Sequence, residues 1–340
     1  MRRSASAIAT VSALVASVAL VGPASVAAET ITSGGSSYAN SIITTCAAAY
    51  KADTITYASV GSGSGRSNFA AGTYDFGATD APYSSSDKVT PTNFTYVPLV
   101  GGPIAIVFNV PGVKSLNLTA KVLGGILNGR YATWDDEAIQ SLNPKAKLPS
   151  SKINVYYRSG SSGTTQALAN YLLGNGASGW KNNGTWSTAS SQSTPVGSSA
   201  ANSQLLVEGV TKTTNSIGYA DLSDVASKGL PFASLRNPLG EYVAPSVKTA
   251  SAFLATQKVL SNGVLDIDYK KAVKGGYNAS LVTYAVASTA SKSAAKGAAV
   301  KKFLTYVLNS CAPSQAPKLN YSPLSAALKA KALQLVAKVK

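Results

Sequence analysis

Three times along the chain an apolar, strand-like run gives way to a short Gly/Ser stretch and then to an apolar pattern of helical spacing. The stretches are Ser33-Gly34-Gly35-Ser36-Ser37, Gly61-Ser62-Gly63-Ser64-Gly65 and Ser159-Gly160-Ser161-Ser162-Gly163-Thr164. Around the first two, the pattern predicts a strand at Thr30-Ile31-Thr32 and a helix over 36–51 with Tyr38, Ile42, Ile43 and Cys46 inward. An alternating strand over 54–60, a helix over 66–71 and a strand ending at Asp80 follow. Such alternation predicts an α/β layer architecture with a mainly parallel sheet. The apolar run 96–109 is too long for a single edge strand and is interrupted by Gly101-Gly102-Pro103, which predicts a strand crossing from one domain into another.

A second α/β region comes next. Thr133-Trp134-Asp135-Asp136 has capping-box spacing ahead of an apolar-periodic helix. A strand is expected over 153–157, a helix over 165–173, a plain surface loop over 182–202, a helix over 205–210 and a strand over 217–219. The end of the chain reads as a strand over 281–287 and two helices, 294–308 and 324–338. Two lobes joined by crossover strands, with both chain ends in the first lobe, satisfy this order, and such a hinge suits closure around a guest.

Arg2 and Arg3 precede an apolar stretch from Ile8 to Val21, followed by Pro23 and small residues up to Ala28. This is the order of an export signal, so residues 1–28 are expected to be a signal peptide. The Ser, Ala and Thr content argues against a spanning helix, which needs about 20 unbroken apolar residues. With no Cys near the cut, a lipid anchor is not expected. Removing 28 of the 340 residues leaves 312, enough for two domains.

The formal charge of +16 becomes +14 without Arg2 and Arg3. The lysines are dispersed, with a modest concentration from Lys292 to Lys340, and form no basic helix or aromatic-basic stripe. Nucleic acid is therefore not expected as a partner. A basic surface equally concentrates small anions, or holds an exported protein against an acidic wall. Cys46 and Cys311 lie in helix-like segments far apart in the chain. An oxidising destination favours a bridge between them, two buried thiols being the alternative.

The chain has no histidine, which removes the usual base of a nucleophilic triad and the commonest zinc ligand. It has neither a G-x-S-x-G elbow nor a G-x-x-x-x-G-K-[ST] phosphate loop. Asp135-Asp136 reads as a helix start rather than an acid–base pair. No metal or cofactor is expected, and binding is favoured over catalysis. Small residues at helix starts let backbone N–H groups crowd around an anion. Ser37 and Tyr38 open the first helix, Ser62 sits in the second turn, and Ser162, Gly163 and Thr164 open the third. Arg158 adds a fork of charged donors. Asp80 is the odd member, since a carboxylate repels an anion unless the guest has a proton to give. Hydrogen phosphate has one at neutral pH and sulfate does not.

These residues resemble the phosphate-binding proteins of bacterial phosphate ABC importers. The resemblance rests on Asp75-Phe76-Gly77-Ala78-Thr79-Asp80-Ala81-Pro82, Trp134-Asp135-Asp136-Glu137-Ala138-Ile139 and Arg158 with Ser162-Gly163-Thr164. Val110-Pro111-Gly112-Val113, Trp180-Lys181-Asn182-Asn183 and Ser216-Ile217-Gly218-Tyr219 extend it. It implies a two-lobed periplasmic-binding fold (type II-like), with mixed sheets flanked by helices and hinged by crossover strands. Lobe I would be 29–101 plus 278–340 and lobe II 102–277. It further implies phosphate ligands at Ser37, Tyr38, Ser62, Asp80, Arg158, Ser162, Gly163 and Thr164, with a membrane ABC permease as partner and a monomeric, periplasmic or extracellular protein. Three departures stand out: Gly160 where the family commonly has an Asp paired with the arginine, which predicts a less fixed Arg158; Tyr38 for a usual Phe; and no lipid-attachment Cys. The alternatives are a secreted phosphomonoester hydrolase on the same lobes, a binder of another oxyanion, and a wall-associated protein that has lost the pocket.

Overall fold

The alternation of strands and helices is realised as one eight-stranded sheet in two halves, seen in a computed structural model that describes residues 28–85 and 87–340. Residues 1–27 of the expected signal peptide lie outside the described residues. Across the sheet the strands run Thr54–Ala58, Thr30–Gly35, Phe76–Thr79, Ser280–Ser288, Phe94–Asn109, Ser216–Asp221, Asn154–Arg158 and Ser198–Ala200. The first three pair in parallel, as do the last three, and the central pairings are antiparallel. Parallel pairs require crossover helices, and burial of both faces explains the near-continuous apolar runs of the central strands.

Phe94–Asn109 is the crossover the sequence predicts, although it runs unbroken through Gly101-Gly102-Pro103. Residues 94–103 pair with Ser280–Ser288, and 104–109 pair with Ser216–Asp221. The switch falls at Pro103, whose missing N–H removes a ladder donor where the strand changes partners. The register with Ser280–Ser288 slips between Thr283 and Tyr284, opposite Val100 and Pro98. On its other side Ser280–Ser288 pairs regularly with Phe76–Thr79, and the next step of that register sets Thr283 beside Asp80.

Local boundaries differ from expectation for identifiable reasons. The first helix begins at Asn40, because Ser36 Oγ accepts from the Ala39 N–H in the preceding turn. The second begins at Ser62, four residues early, since tertiary packing against the sheet overrides the poor helix propensity of Gly and Ser. Asp136, not Thr133, caps a single turn, Glu137–Gln140. The stretch 182–202 is more than a surface connection: it holds the helix Trp186–Ala189 and the strand Ser198–Ala200. Trp186 is buried in it and stacks on Tyr157 and Tyr219, with centroids 5.2 and 5.5 Å away. Among the described residues no helix is long and apolar enough to cross a membrane.

Cys46, in the helix Asn40–Ala49, is bonded to Cys311, at the end of the π-turn Val307–Cys311. The bridge ties the two ends of the described chain to the same half of the sheet and closes a loop of 265 residues. Loop-entropy reasoning gives such a closure about 5 kcal/mol. Replacing both cysteines with alanine is expected to lower the melting temperature by at least about 5 °C in calorimetry; an unchanged transition would contradict this.

Candidate functional site

The C-terminal edges of the parallel strands and the starts of four helices converge on Asp80, which follows the strand Phe76–Thr79 and is only 8% exposed. Four hydroxyls donate to its carboxylate. Oδ1 accepts a short hydrogen bond from Ser36 and another from Thr283 at 2.7 Å. Oδ2 accepts longer ones, from Thr164 at 3.2 Å and Ser62 at 3.3 Å. Four donors fill the lone-pair directions of an ionised carboxylate. Burial pushes the carboxyl above the usual carboxylate range, while the Ser36, Thr283 and Thr164 hydroxyls and the Arg158 guanidinium pull it partly back. The two oxygens are therefore unlike: Oδ1 is firmly anchored and Oδ2 loosely engaged. A cavity of about 400 Å³ borders Asp80, Pro82, Gln166, Asn170 and Tyr269.

Arg158 ends the strand Asn154–Arg158 and is 2% exposed. Its backbone N–H donates to Tyr219 Oη at 3.2 Å, so the Tyr157–Trp186–Tyr219 stack supports it from below. Nη1 donates to Ser37 Oγ at 2.7 Å and Ser162 Oγ at 3.4 Å, and Nη2 donates to the Ala201 carbonyl at 2.9 Å. Nε, fully buried, meets no acceptor among the described residues. That leaves a charged donor for a guest. Burial lowers the pKa of the guanidinium, opposed by Tyr219, Asp80 and Asp221; an arginine remains charged throughout. Three acceptors orient Arg158 without any carboxylate at Gly160, where an added Cβ would meet only open space. The looser arginine expected from Gly160 is not what the geometry gives.

The remaining expected residues gather here in different ways. Ser37 Oγ accepts from Arg158 and from the Ser203 N–H at 3.1 Å, with Ser203 Oγ 3.0 Å away. Both its lone pairs are then engaged, and its proton is the part left to give. Ser162 spends its N–H on the Gly184 carbonyl and caps the Thr165 N–H with its hydroxyl, so it offers its side chain rather than its backbone. Gly163 and Thr164 start the helix Gly163–Gly174, where first-turn N–H groups lack intrahelical acceptors. Gly163 has to be glycine, because a Cβ would lie 2.7 Å from both Asp80 Cβ and Ser62 Oγ. Gly61, the N-cap of the helix Ser62–Ala70, has φ +90° and faces Arg158 Nη2. Tyr38 is present by its backbone only. Its hydroxyl donates to the Pro103 carbonyl at 3.1 Å in the crossover strand, and its own carbonyl accepts from Tyr321 at 2.7 Å.

Sequence reasoning missed Ser36, Thr283, Ala201, Ser203 and Gln204. Asn202 caps the helix Ser203–Lys212 through the Leu205 N–H at 2.9 Å, so Asn202-Ser203 ahead of Leu205 and Leu206 is a readable helix start that brings Ala201, Ser203 and Gln204 in. Nothing local marks Thr283, whose place beside Asp80 comes from the antiparallel register with Phe76–Thr79. Among the described residues no group of His, Cys, Asp and Glu is placed to hold a metal ion.

Comparison with known proteins shows the family. A family model described as a PBP superfamily domain matches residues 22–310. The chain is 33% identical over 264 residues to the phosphate-binding protein PstS 3 of Mycobacterium leprae, covering 74% of this chain and 70% of that one. It is 30% identical over 300 residues to the phosphate-binding protein PstS of Xylella fastidiosa (strain Temecula1), covering 86% and 81%. In fold it is similar to a high-affinity periplasmic phosphate-binding protein (PfluDING) solved with phosphate bound, with a TM-score of 0.74 over 88% of this chain and 92% of that one at 22% identity. On the extent of these matches, the chain belongs to the PBP superfamily and, within it, to the PstS phosphate-binding proteins.

Proposed function

We propose that this protein is an exported, high-affinity receptor for inorganic phosphate that delivers its ligand to a membrane ABC permease. The observation that carries the reading is the buried pairing of Asp80, an acceptor, with Arg158, a donor left partly unused, between two helix starts. Ser37, Tyr38, Ser62, Asp80, Arg158, Ser162, Gly163 and Thr164 are the proposed ligands. Lobe I is taken as 29–101 plus 278–340 and lobe II as 102–277, in keeping with the change of strand partner at Pro103. The protein is taken to act as a monomer without catalysis, free of a lipid anchor, in the periplasm or outside the cell.

Hydrogen phosphate donates its single proton to Asp80 Oδ2. The Ser62 and Thr164 hydroxyls, which hold that oxygen at the longer distances, turn instead to the phosphate oxygens. Arg158 Nε, the Ser37 hydroxyl and the N–H groups of Gly163 and Thr164 replace the remaining hydration. Sulfate sets a lone pair against Oδ2, at a cost of about 1–3 kcal/mol or more for an unmet buried acceptor.

Calorimetric titration of the purified protein is expected to give a phosphate Kd in the micromolar range or below and sulfate binding weaker by about 100-fold. Asp80→Asn, whose amide can donate, is expected to lose most of that ratio. Equal affinities in the parent protein, or turnover of a chromogenic phosphate ester, would overturn the reading. Because burial raises the Asp80 pKa, protonation sets in at a higher pH than for an exposed aspartate. As pH falls through the raised value, Oδ2 changes from acceptor to donor, so the phosphate-to-sulfate ratio is expected to shrink on acidification. A ratio that stays flat while both ions still bind would contradict this. Thr283→Val removes one Oδ1 anchor and is expected to weaken phosphate binding by about 10- to 150-fold, since a hydrogen bond to a charged group contributes about 1.5–3 kcal/mol. Unaltered affinity would remove Thr283 from the site.

A further inference from the structure

Gln204 lies outside the proposed ligand set, yet its side-chain amide is fully engaged across the two halves of the sheet. Nε2 donates to Asp224 Oδ2 at 2.7 Å and to the Ser37 carbonyl at 3.3 Å, and Oε1 accepts from Ser59 Oγ at 3.2 Å. This orientation is enforced, because a flipped amide would set oxygen against a carboxylate and a carbonyl. Ser37 and Ser59 follow the strands Thr30–Gly35 and Thr54–Ala58, whereas Gln204 and Asp224 belong to the helices Ser203–Lys212 and Leu222–Ser227. Asp224 is itself held in place. Its backbone N–H is capped by Asp221 Oδ1 at 2.9 Å. Asp221 is fully buried and accepts from Tyr321 at Oδ1, 3.2 Å away, so the cap on Asp224 is itself fixed. The same hydrogen bonds press the start of Ser203–Lys212 onto Ser37, where the Ser203 N–H and Arg158 both meet the Ser37 hydroxyl.

We propose that Gln204 is a positioning residue: an interlobe latch, seated on Asp224, that holds the closed site together without touching the ligand. This rests on the phosphate-receptor reading. Because the latch adds contacts only when the lobes meet, it slows release and leaves discrimination to Asp80. The test is stopped-flow phosphate binding and calorimetry on the full-length protein, with Gln204→Ala, Gln204→Met as a same-sized variant without hydrogen bonds, Ser59→Ala, and the Gln204→Ala/Ser59→Ala double variant. Both Gln204 variants are expected to raise the phosphate dissociation rate about five- to thirtyfold, keep the association rate within about twofold, and leave the phosphate-to-sulfate ratio and melting profile of the folded protein unchanged. The double variant should lose less than the two single losses combined. An unchanged dissociation rate in Gln204→Met, or a changed selectivity, overturns the latch. Small-angle scattering of the ligand-free proteins decides the matter independently of phosphate. Gln204→Met should be more open than the parent, and an identical radius of gyration sinks the proposal. A parent protein that fails to bind phosphate sinks the receptor reading instead.

Discussion

A carboxylate buried beside a pocket built for anions is the constraint around which the rest is arranged. Desolvation alone would neutralise Asp80. Hydroxyls from Ser36, Thr283, Ser62 and Thr164, with the Arg158 charge nearby, hold it partly in check. The two sides of the carboxylate come from different parts of the chain. Ser36 and Thr283 belong to the same half of the sheet as Asp80 and fix Oδ1, whereas Thr164 reaches Oδ2 from the other half. Anchoring one oxygen and leaving the other only weakly engaged keeps a working acceptor in a dry site. The glycine at 163 is a consequence, since no side chain fits between the second helix start and Asp80.

How much of this was legible depends on whether the cue was local. The Gly/Ser stretches announce the helix starts, and Asp80 and Arg158 stand at strand ends where a sequence pattern can place them. The crossover strand is visible in the length of its apolar run. The anchoring of Oδ1 was not legible, because Thr283 lies 203 residues from Asp80 and meets it only through the pairing of Ser280–Ser288 with Phe76–Thr79. The start of Ser203–Lys212 was legible in Asn202 ahead of the expected helix over 205–210, but the reach of Ser203 and Gln204 into the site was not, because their partners Ser37 and Ser59 lie more than 140 residues away. Gly160 misled in the opposite direction. A missing carboxylate predicts a loose arginine, but Ser37, Ser162 and the Ala201 carbonyl supply the orientation instead.

The hinge and the site share residues, which ties closure to chemistry. Tyr38 gives its backbone to the site and its hydroxyl to the Pro103 carbonyl at the partner switch. Tyr321 donates to the Tyr38 carbonyl and to Asp221, and Asp221 seats Asp224. A phenylalanine at 38 would fill the same volume without the hydrogen bond to the crossover strand. The hydroxyl therefore adds a polar tie where the crossover strand changes partners, beside the one that Tyr277 makes to the Ile104 carbonyl at 2.8 Å.

The surrounding charge cannot do the work assigned to Asp80. The chain carries a net +16, and the segment 281–340 holds nine lysines and no Asp or Glu. Of these, Lys296 is paired, with Asp75 at 3.1 Å. A positive field of this kind raises the encounter rate of every small anion, sulfate as much as phosphate, and fades with added salt over a Debye length of about 8–10 Å. It has no means of counting protons on the guest. Discrimination has to arise where water is excluded and one acceptor faces one donor, and in the proposed reading the buried Asp80 carboxylate in its ring of hydroxyls meets that condition. The field and the carboxylate thus act on separate quantities: the first on how often an anion arrives, the second on which anion stays.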